Sequence, residues 1–324
     1  MSASDTLQRW WYRQGPSPAL LLAPLAAIYG ALMALRRMAY RSGLLASYRA
    51  PVPVVVVGNF SVGGTGKTPA VIALVEALRA KGYTPSVVSR GYGRKSAGAL
   101  MVTASSNPAQ CGDEPLLIAR RTAAPVAVAA RRADAVRLLL AQAPCDVIVC
   151  DDGLQHLALQ RDVELAVTGA RRGGNGWLLP AGPLRERPRP VDAVLVSAGT
   201  LRPGEWPLAQ RLGDAYNASD PAQRRPLASF ATERCAAVAG IGHPAAFFDA
   251  LAAAGVPLIT RLALPDHAPY RDNPFTALRV GVILVTEKDA IKCTGMDPRL
   301  WVVPLQAQLP AGLIDLVLTR LHKP

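Results

Sequence analysis

Residues Val54 to Thr68 read VVVVGNFSVGGTGKT, an apolar run that stops at Gly58 and a glycine-rich turn that ends in Lys67 and Thr68. The valines behind Pro53 are β-branched and their run is too short for a buried helix, so they predict an interior strand of a parallel sheet. After the turn, TPAVIALVEALRAKG sets Val71, Ile72, Val75 and Leu78 on one helical face, with Pro69 in the first turn and Gly82 as the stop. Strand, glycine loop and helix in that order make a phosphate cradle. The backbone N–H groups from Gly63 to Lys67 converge at a helix N-terminus, and glycine lets a phosphate oxygen approach with no Cβ in the way. In this reading Ser61, Val62, Gly63, Gly64, Thr65, Gly66, Lys67 and Thr68 hold the phosphates of a nucleotide. Lys67 reaches the β and γ phosphates, and Thr68 offers its hydroxyl to Mg²⁺. The general pattern G-x-x-x-x-G-K-[ST] asks for glycine where this chain has Ser61, so the match holds at all but the first position.

Outward from this stretch the pattern alternates. Strands are expected at 54–57, 86–89, 126–129 and 146–150, with helices at 68–80, 114–121 and 132–142 between them. That is an α/β fold, a doubly wound and mostly parallel sheet with helices on both faces. Short strands at Glu164 to Thr168 and Ala193 to Ser197 extend it around an arginine- and glycine-rich loop, 169–190. A polar, proline-dotted stretch from Pro203 to Pro226 marks a boundary near residue 230. A second, smaller α/β unit follows, with strands near 235–240, 258–262, 281–285 and 301–305 and helices at 244–254 and 312–322. The expected parts are an N-terminal segment 1–50, a phosphate-loop domain 51–230 and a C-terminal domain 231–324.

Ala19 to Leu35 carries no charge and is flanked by Arg9 and Arg13 before and by Arg36, Arg37, Arg41 and Arg49 after. As a helix it reaches roughly 26 Å, a little short of the ~30 Å hydrocarbon core of a bilayer. Leu21, Leu25, Ile28, Leu32 and Leu35 make one bulky face for lipid, while Ala23, Ala27, Gly30, Ala31 and Ala34 offer a small surface for packing on the protein. A membrane-inserted helix, a single span and an N-terminal core helix are the three readings, the first being the working one. A cleaved signal peptide does not fit, because a nucleotide-binding domain follows within a few dozen residues.

Half of the 324 residues are apolar, enough for a substantial core. The net charge of +13 comes mainly from arginine and points to an anionic partner. A phosphorylated substrate and an anionic membrane surface are the stronger candidates, and nucleic acid is the weakest, since only 6% of residues are aromatic and no nucleic-acid module is legible. The 5 cysteines form no C-x-x-C pair and only 4 histidines exist, so no zinc site can be read and a reducing cytosol fits.

The strand Asp146 to Cys150 runs into Asp151 and Asp152, carboxylates placed to hold Mg²⁺ beside a phosphate loop. CGDEP at 111–115 precedes an apolar helix, and there Asp113 suits an N-cap with Glu114 and Pro115 in the first turn. SRGYGR at 89–94 ends a strand at the edge where open α/β sheets bind ligands. Arg171, Arg172, Arg185 and Arg187 share a long loop with Trp177, either solvated or gripping phosphate. Taken singly, His156 and His267 read as structural.

Together SVGGTGKTP, SRGYGR, GDEP, DDGLQH (151–156), RDVE (161–164), LLPAGPLRE (178–186), PDH (265–267) and TEKDAIK (286–292), in this order, resemble the tetraacyldisaccharide 4'-kinases of lipid A biosynthesis. The resemblance covers nearly the whole chain, including the apolar N-terminal segment, and that family also carries Ser or Thr at the position of Ser61. It implies transfer of the γ-phosphoryl group of Mg-ATP to the 4'-hydroxyl of a tetraacylated disaccharide 1-phosphate, at the cytoplasmic face of the bacterial inner membrane. Its implied site has Lys67 on phosphate, Thr68, Glu114, Asp151 and Asp152 serving Mg²⁺, and Asp113 as the base. His267 supports that base from the second domain, and Arg132 and Arg185 neutralise charge during transfer. Two other classes fit the loop alone. A positioning ATPase generally carries lysine where this chain has Val62, and a switch GTPase needs an N-K-x-D reader that TEKDAIK does not supply. A kinase of a soluble small molecule would leave the apolar N-terminus as core.

Overall fold

The computed structural model describes residues 3–13, 15, 17–266, 270, 273–293 and 295–321. Helix α1 (Ala3–Trp11) leads through a 3₁₀ turn at Pro18–Leu22 into α2 (Ala23–Arg41). The Ser17 hydroxyl starts that turn by accepting from the Ala19 amide at 3.3 Å while donating to the Trp10 carbonyl at 2.8 Å. Pro18–Arg41 is long and apolar enough to cross a membrane.

Leu21 of the 3₁₀ turn and Leu25, Ile28, Leu32, Leu35 and Met38 of α2 make the outward face, all exposed, as the leucine spacing predicts. The packing face differs from the expected small stripe. Ala26 is buried and Tyr29, Gly30, Met33, Arg36 and Arg37 are half-buried, whereas Ala27, Ala31 and Ala34 are exposed. Contact is set by polar groups that need partners and by one close approach, since a Cβ on Gly30 would lie 2.9 Å from Leu178 Cδ1.

Among the described residues eight strands form the first sheet. They are β1 (Val54–Gly58), β2 (Pro85–Ser89), β3 (Leu100–Val102), β4 (Val126–Val128), β5 (Val147–Asp151), β6 (Val163–Thr168), β7 (Ala193–Val196) and β8 (Glu205–Pro207), in the spatial order β3-β4-β2-β5-β1-β6-β7-β8. All pairings are parallel except β3 on β4. Val54 to Val57 are buried on both faces of β1, which is why the run does not alternate with polar residues. Helices α3 (Lys67–Ala80), α4 (Pro108–Cys111), α5 (Asp113–Thr122) and α6 (Arg132–Gln142) connect the strands. Val55 and Val57 share one core with Leu74 and Leu78 of α3 and Leu116 and Ile118 of α5. Val54 and Val56 share the other with Val136 and Leu139 of α6. The sheet is doubly wound, as the alternation predicts.

The rest of the chain supplies β9 (Ala209–Leu212), β10 (Ala215–Asn217), β11 (Arg224–Arg225), β12 (Cys235–Ala239), β13 (Leu258–Ala263), β14 (Val282–Thr286), β15 (Leu300–Val303) and β16 (Leu305–Gln308), with helices α7 (Pro244–Ala253), α8 (Glu287–Cys293) and α9 (Ala311–Leu321). A second sheet, of six strands among the described residues, runs β11-β10-β15-β14-β12-β13, and β9 pairs with β16 in an antiparallel ribbon. Sheet membership changes between β8 and β10, because Tyr216 and Asn217 pair with Val302 and Trp301. The chain also returns: Leu313, Ile314 and Val317 of α9 and Ile291 of α8 are buried in the first core. The second sheet is thereby fastened over the side of the first that carries α3 and α5.

Candidate active site

The phosphate loop is held at both ends. Asn59, buried behind β1, donates from Nδ2 to the Thr65 hydroxyl at 3.2 Å, and the Ser197 hydroxyl donates to the Thr65 carbonyl at 2.9 Å. Gly66 precedes α3 in the left-handed region (φ 88°), a conformation that favours glycine, and a Cβ there would also have to displace the end of the Gln210 side chain, 2.5 Å away. A Cβ on Gly63 or Gly64 would meet nothing within 4 Å, so this stretch of backbone is open to a ligand. Ser61 is buried in an antiparallel bridge with Leu184, an extended position where glycine has no advantage. That bridge explains the departure from the general pattern. The Val62 amide donates to the Pro183 carbonyl at 2.8 Å and the Arg185 amide to the Phe60 carbonyl at 2.7 Å. The stretch LLPAGPLRE is therefore a partner strand to the start of the phosphate loop, and it delivers Arg185.

At the tip of β5, Asp152 takes a left-handed φ of 48° and turns toward the loop. Arg185 grips both of its oxygens, at 2.8 and 2.9 Å, and the Lys67 ammonium lies 3.7 Å away. Burial works to raise the Asp152 carboxyl, but Lys67 and Arg185 outweigh it and hold the group below its ordinary range. Asp151 is buried, and its Oδ2 accepts from the Ser89 hydroxyl at 2.9 Å. Burial first, then the nearby charges of Glu114 and Asp152, push the Asp151 carboxyl up. Arg132 is buried beneath the pair and donates to the Asp152 carbonyl at 3.2 Å.

Across from this cluster stands α5. Its N-cap is Gly112 (φ 93°), with no side-chain cap bond, and Asp113 is the first helical residue. The expected capping role of Asp113 is thus corrected. Gly112 lies against Gly91 of SRGYGR, where an added Cβ would come within 3.1 Å of the Gly91 Cα, and this close approach fixes where α5 begins. The Asp113 carboxylate is 3.2 Å from the Lys292 ammonium of α8. Lys288 stands one turn earlier, 3.3 Å from Glu114 and 3.4 Å from Asp266. Burial lowers the Lys288 ammonium, yet Glu114 and Asp266 outweigh it and raise it. The ladder closes with Arg121, whose Nη1 donates to both oxygens of Glu287 at 2.8 Å. Gly242, in the loop after β12, faces the phosphate loop, since a Cβ there would be 3.5 Å from the Gly64 nitrogen.

The structure thus brings Lys67, Asp151, Asp152, Arg132 and Arg185 into one cluster, with Thr68 at the start of α3. Asp113 and Glu114 sit opposite, under two lysines. His267 lies outside the described residues. Arg172 is spent on Glu205 and the Thr200 carbonyl, and Arg171 contacts His243 Nε2 at 2.9 Å, so the loop arginines have separate tasks. His156 is structural: its Nε2 accepts from the Arg132 amide at the start of α6 at 3.3 Å. Burial and then the charges of Arg132 and Arg161 bring His156 down to about 4. Lys288 and Lys292 were missed in the sequence, although TEKDAIK spaces them four apart on one helical face.

A family model described as tetraacyldisaccharide-1-P 4'-kinase matches residues 18–322. A protein of Bordetella petrii named tetraacyldisaccharide 4'-kinase is 49% identical over 99% of this chain and 97% of its own length. One of Aeromonas hydrophila with the same name is 48% identical over 98% of this chain and 95% of its own. Among solved structures, a crystal structure of the "apo" form of LpxK from Aquifex aeolicus in complex with ATP superposes with a TM-score of 0.80 at 28% identity, covering 94% of this chain and 99% of that one.

Proposed function

This chain belongs to the tetraacyldisaccharide-1-P 4'-kinase family, and from that premise we propose how its cleft performs the reaction. The chain transfers the γ-phosphoryl group of ATP to the 4'-hydroxyl of an acylated disaccharide 1-phosphate, a step of lipid A biosynthesis. The observation that carries the assignment of roles is the convergence of Lys67 and Arg185 on Asp152 beside the open backbone of Gly63 and Gly64. Ser61 to Thr68 cradle the triphosphate, and the Lys67 ammonium moves onto its β and γ oxygens. Arg185 and Arg132 supply fixed positive charge where charge shifts between acceptor and leaving oxygens.

Magnesium fits the donor set. Asp151 keeps a buried Oδ1 with no hydrogen-bond partner, and Thr68, Glu114 and Asp152 add oxygen donors of the kind this hard cation takes. Among the described residues no group of three or more His, Cys, Asp or Glu stands ready to hold a metal alone. Mg²⁺ is usually bound through one or two carboxylates plus substrate phosphates, so Asp151 with one of the other carboxylates would suffice. Bound there, Mg²⁺ would neutralise charge on the phosphates.

Asp113 takes the proton from the 4'-hydroxyl as that oxygen forms its bond to the γ phosphorus and the bond to ADP breaks. Lys292 holds the Asp113 carboxylate in place, and His267 is proposed to support it from the second unit. The outward face of α2 enters the lipid at the cytoplasmic side of the inner membrane, keeping the acyl chains in the bilayer while the sugar reaches the cleft. Purified protein incubated with γ-labelled ATP and the disaccharide monophosphate in detergent micelles tests the assignment. Label must appear in a lipid bisphosphate, must require Mg²⁺, and must be lost when the 4'-hydroxyl is blocked. Label released only as inorganic phosphate would leave a membrane-associated ATPase instead.

A further inference from the structure

The inner stripe of α2 is bonded to the loop that supplies Arg185. The Tyr29 hydroxyl donates to the Arg185 carbonyl at 2.7 Å, Arg36 donates to the Gln155 carbonyl at 3.2 Å, and Arg37 forms an ion pair with Glu186. Glu186 is only 6% exposed. Its Oε1 accepts from the Gln155 carboxamide at 2.9 Å, and the same nitrogen donates to the Asn59 carbonyl at 3.0 Å. Both hydrogens of that nitrogen are thus used, one on each acceptor. Asn59 in turn holds Thr65. Arg37, Glu186, Gln155 and Asn59 make one continuous chain from the membrane-facing helix to the phosphate loop. Arg189 is bonded to Glu164 through both Nη atoms, and its Nε makes a second, longer ion pair with Glu186 at 3.8 Å.

We propose that Glu186, held by Arg37, is a positioning residue for phosphoryl transfer, and that it ties the seating of α2 to the placement of Arg185 and the phosphate loop. This rests on the kinase reading of the cleft. Glu186 acts through its covalent neighbour Arg185 and through Gln155. Misplacing a transition-state group by about 1 Å costs up to about 10²-fold in rate. The loss therefore falls on kcat and leaves the affinities for ATP and lipid in place.

The test uses the full chain, with Arg37→Ala, Arg37→Lys, Glu186→Gln and the double variant Arg37→Ala/Glu186→Gln, assayed with ATP and the acylated disaccharide monophosphate in mixed micelles. Arg37→Ala is expected to lower kcat about 10-fold with both KM values within about twofold, and Arg37→Lys to restore most of it. Glu186→Gln should lose at least as much, and the double variant no more than Glu186→Gln alone, because Arg37 acts through that carboxylate. A rise confined to the lipid KM would make Arg37 a lipid contact and overturn the proposal. Unchanged kcat in Arg37→Ala, or losses that multiply in the double variant, would overturn it too. If Glu186→Gln does not fold, the Arg37→Ala and Arg37→Lys pair decides alone, since the Arg37 side chain is 28% exposed. Wild-type protein with no lipid phosphorylation would instead defeat the kinase reading itself, an outcome separate from any of these.

Discussion

Arg185 Nη1 donates to both carboxylate oxygens of Asp152, at 2.8 and 2.9 Å, although the two residues lie far apart in the chain. The arginine is placed by its pairing with Phe60 and the aspartate by the tip of β5. Lysine keeps the charge but not the planar guanidinium with its further N–H donors, so Arg185→Lys should lower kcat with little change in ATP affinity, and Arg185→Ala should cost about 10²–10³ in kcat. Steady-state kinetics with both substrates varied will check the order of the two variants.

Lys67 has a side chain only 12% exposed and points into the same cluster. Lys67→Ala should cut turnover by about two orders of magnitude or more, because the migrating charge loses a fixed cation. A fold check by circular dichroism accompanies the assay. Wild-type turnover in that variant would remove the phosphate-loop assignment.

His156 predicts an acid limb of stability. Its folded value of about 4 lies below the ordinary 6.5, so between those values the unfolded chain binds a proton that the folded chain does not. Stability contributed by this group is present above about 6.5 and is lost as pH falls toward about 4. His156→Gln keeps an acceptor for the Arg132 amide and cannot titrate. Urea unfolding at a series of pH values should show a shallower decline for this variant across that window, and identical slopes would rule the residue out as its source.

Deleting the N-terminal helix would remove contacts to Arg185 and Glu186 along with the lipid face, so point changes on the outer face are the cleaner probe. Leu25→Ser, Ile28→Ser and Leu32→Ser together replace side chains that are 54%, 59% and 56% exposed. Each apolar side chain withdrawn from lipid contact is worth roughly 1.5–3 kcal/mol, so the triple variant should no longer rise with the membranes in a flotation assay, with its unfolding temperature unchanged. Unaltered flotation would show that α2 is not the anchor.

The phosphate loop, the doubly wound sheet and the carboxylates after β5 were legible because each is encoded locally: a valine run, a glycine spacing, a pair of aspartates. Ser61 was legible only as a departure, since its reason is a bridge to Leu184 far along the chain. The neighbours of Asp113 suggest a cap, and only the backbone of Gly112 shows that the cap is elsewhere. Helix α8 is short and mostly charged, with no apolar period to announce it, so Lys288 and Lys292 stayed hidden inside TEKDAIK. The same limit applies to Glu186, whose burial depends on Arg37 and Gln155 arriving from two other elements.

The most direct measurement of the central claim is single-turnover phosphoryl transfer by Asp113→Asn. Because Gly112 is the cap, the substitution leaves the cap in place while it removes a favourable charge from the first turn of α5 and the ion pair with Lys292, and asparagine cannot take a proton at neutral pH. The variant should fold, bind ATP with near wild-type affinity, and lose about 10²–10⁴ in the rate of transfer to the 4'-hydroxyl. Transfer at a near wild-type rate, with ATP binding and folding intact, would contradict the account and leave the cleft without its base.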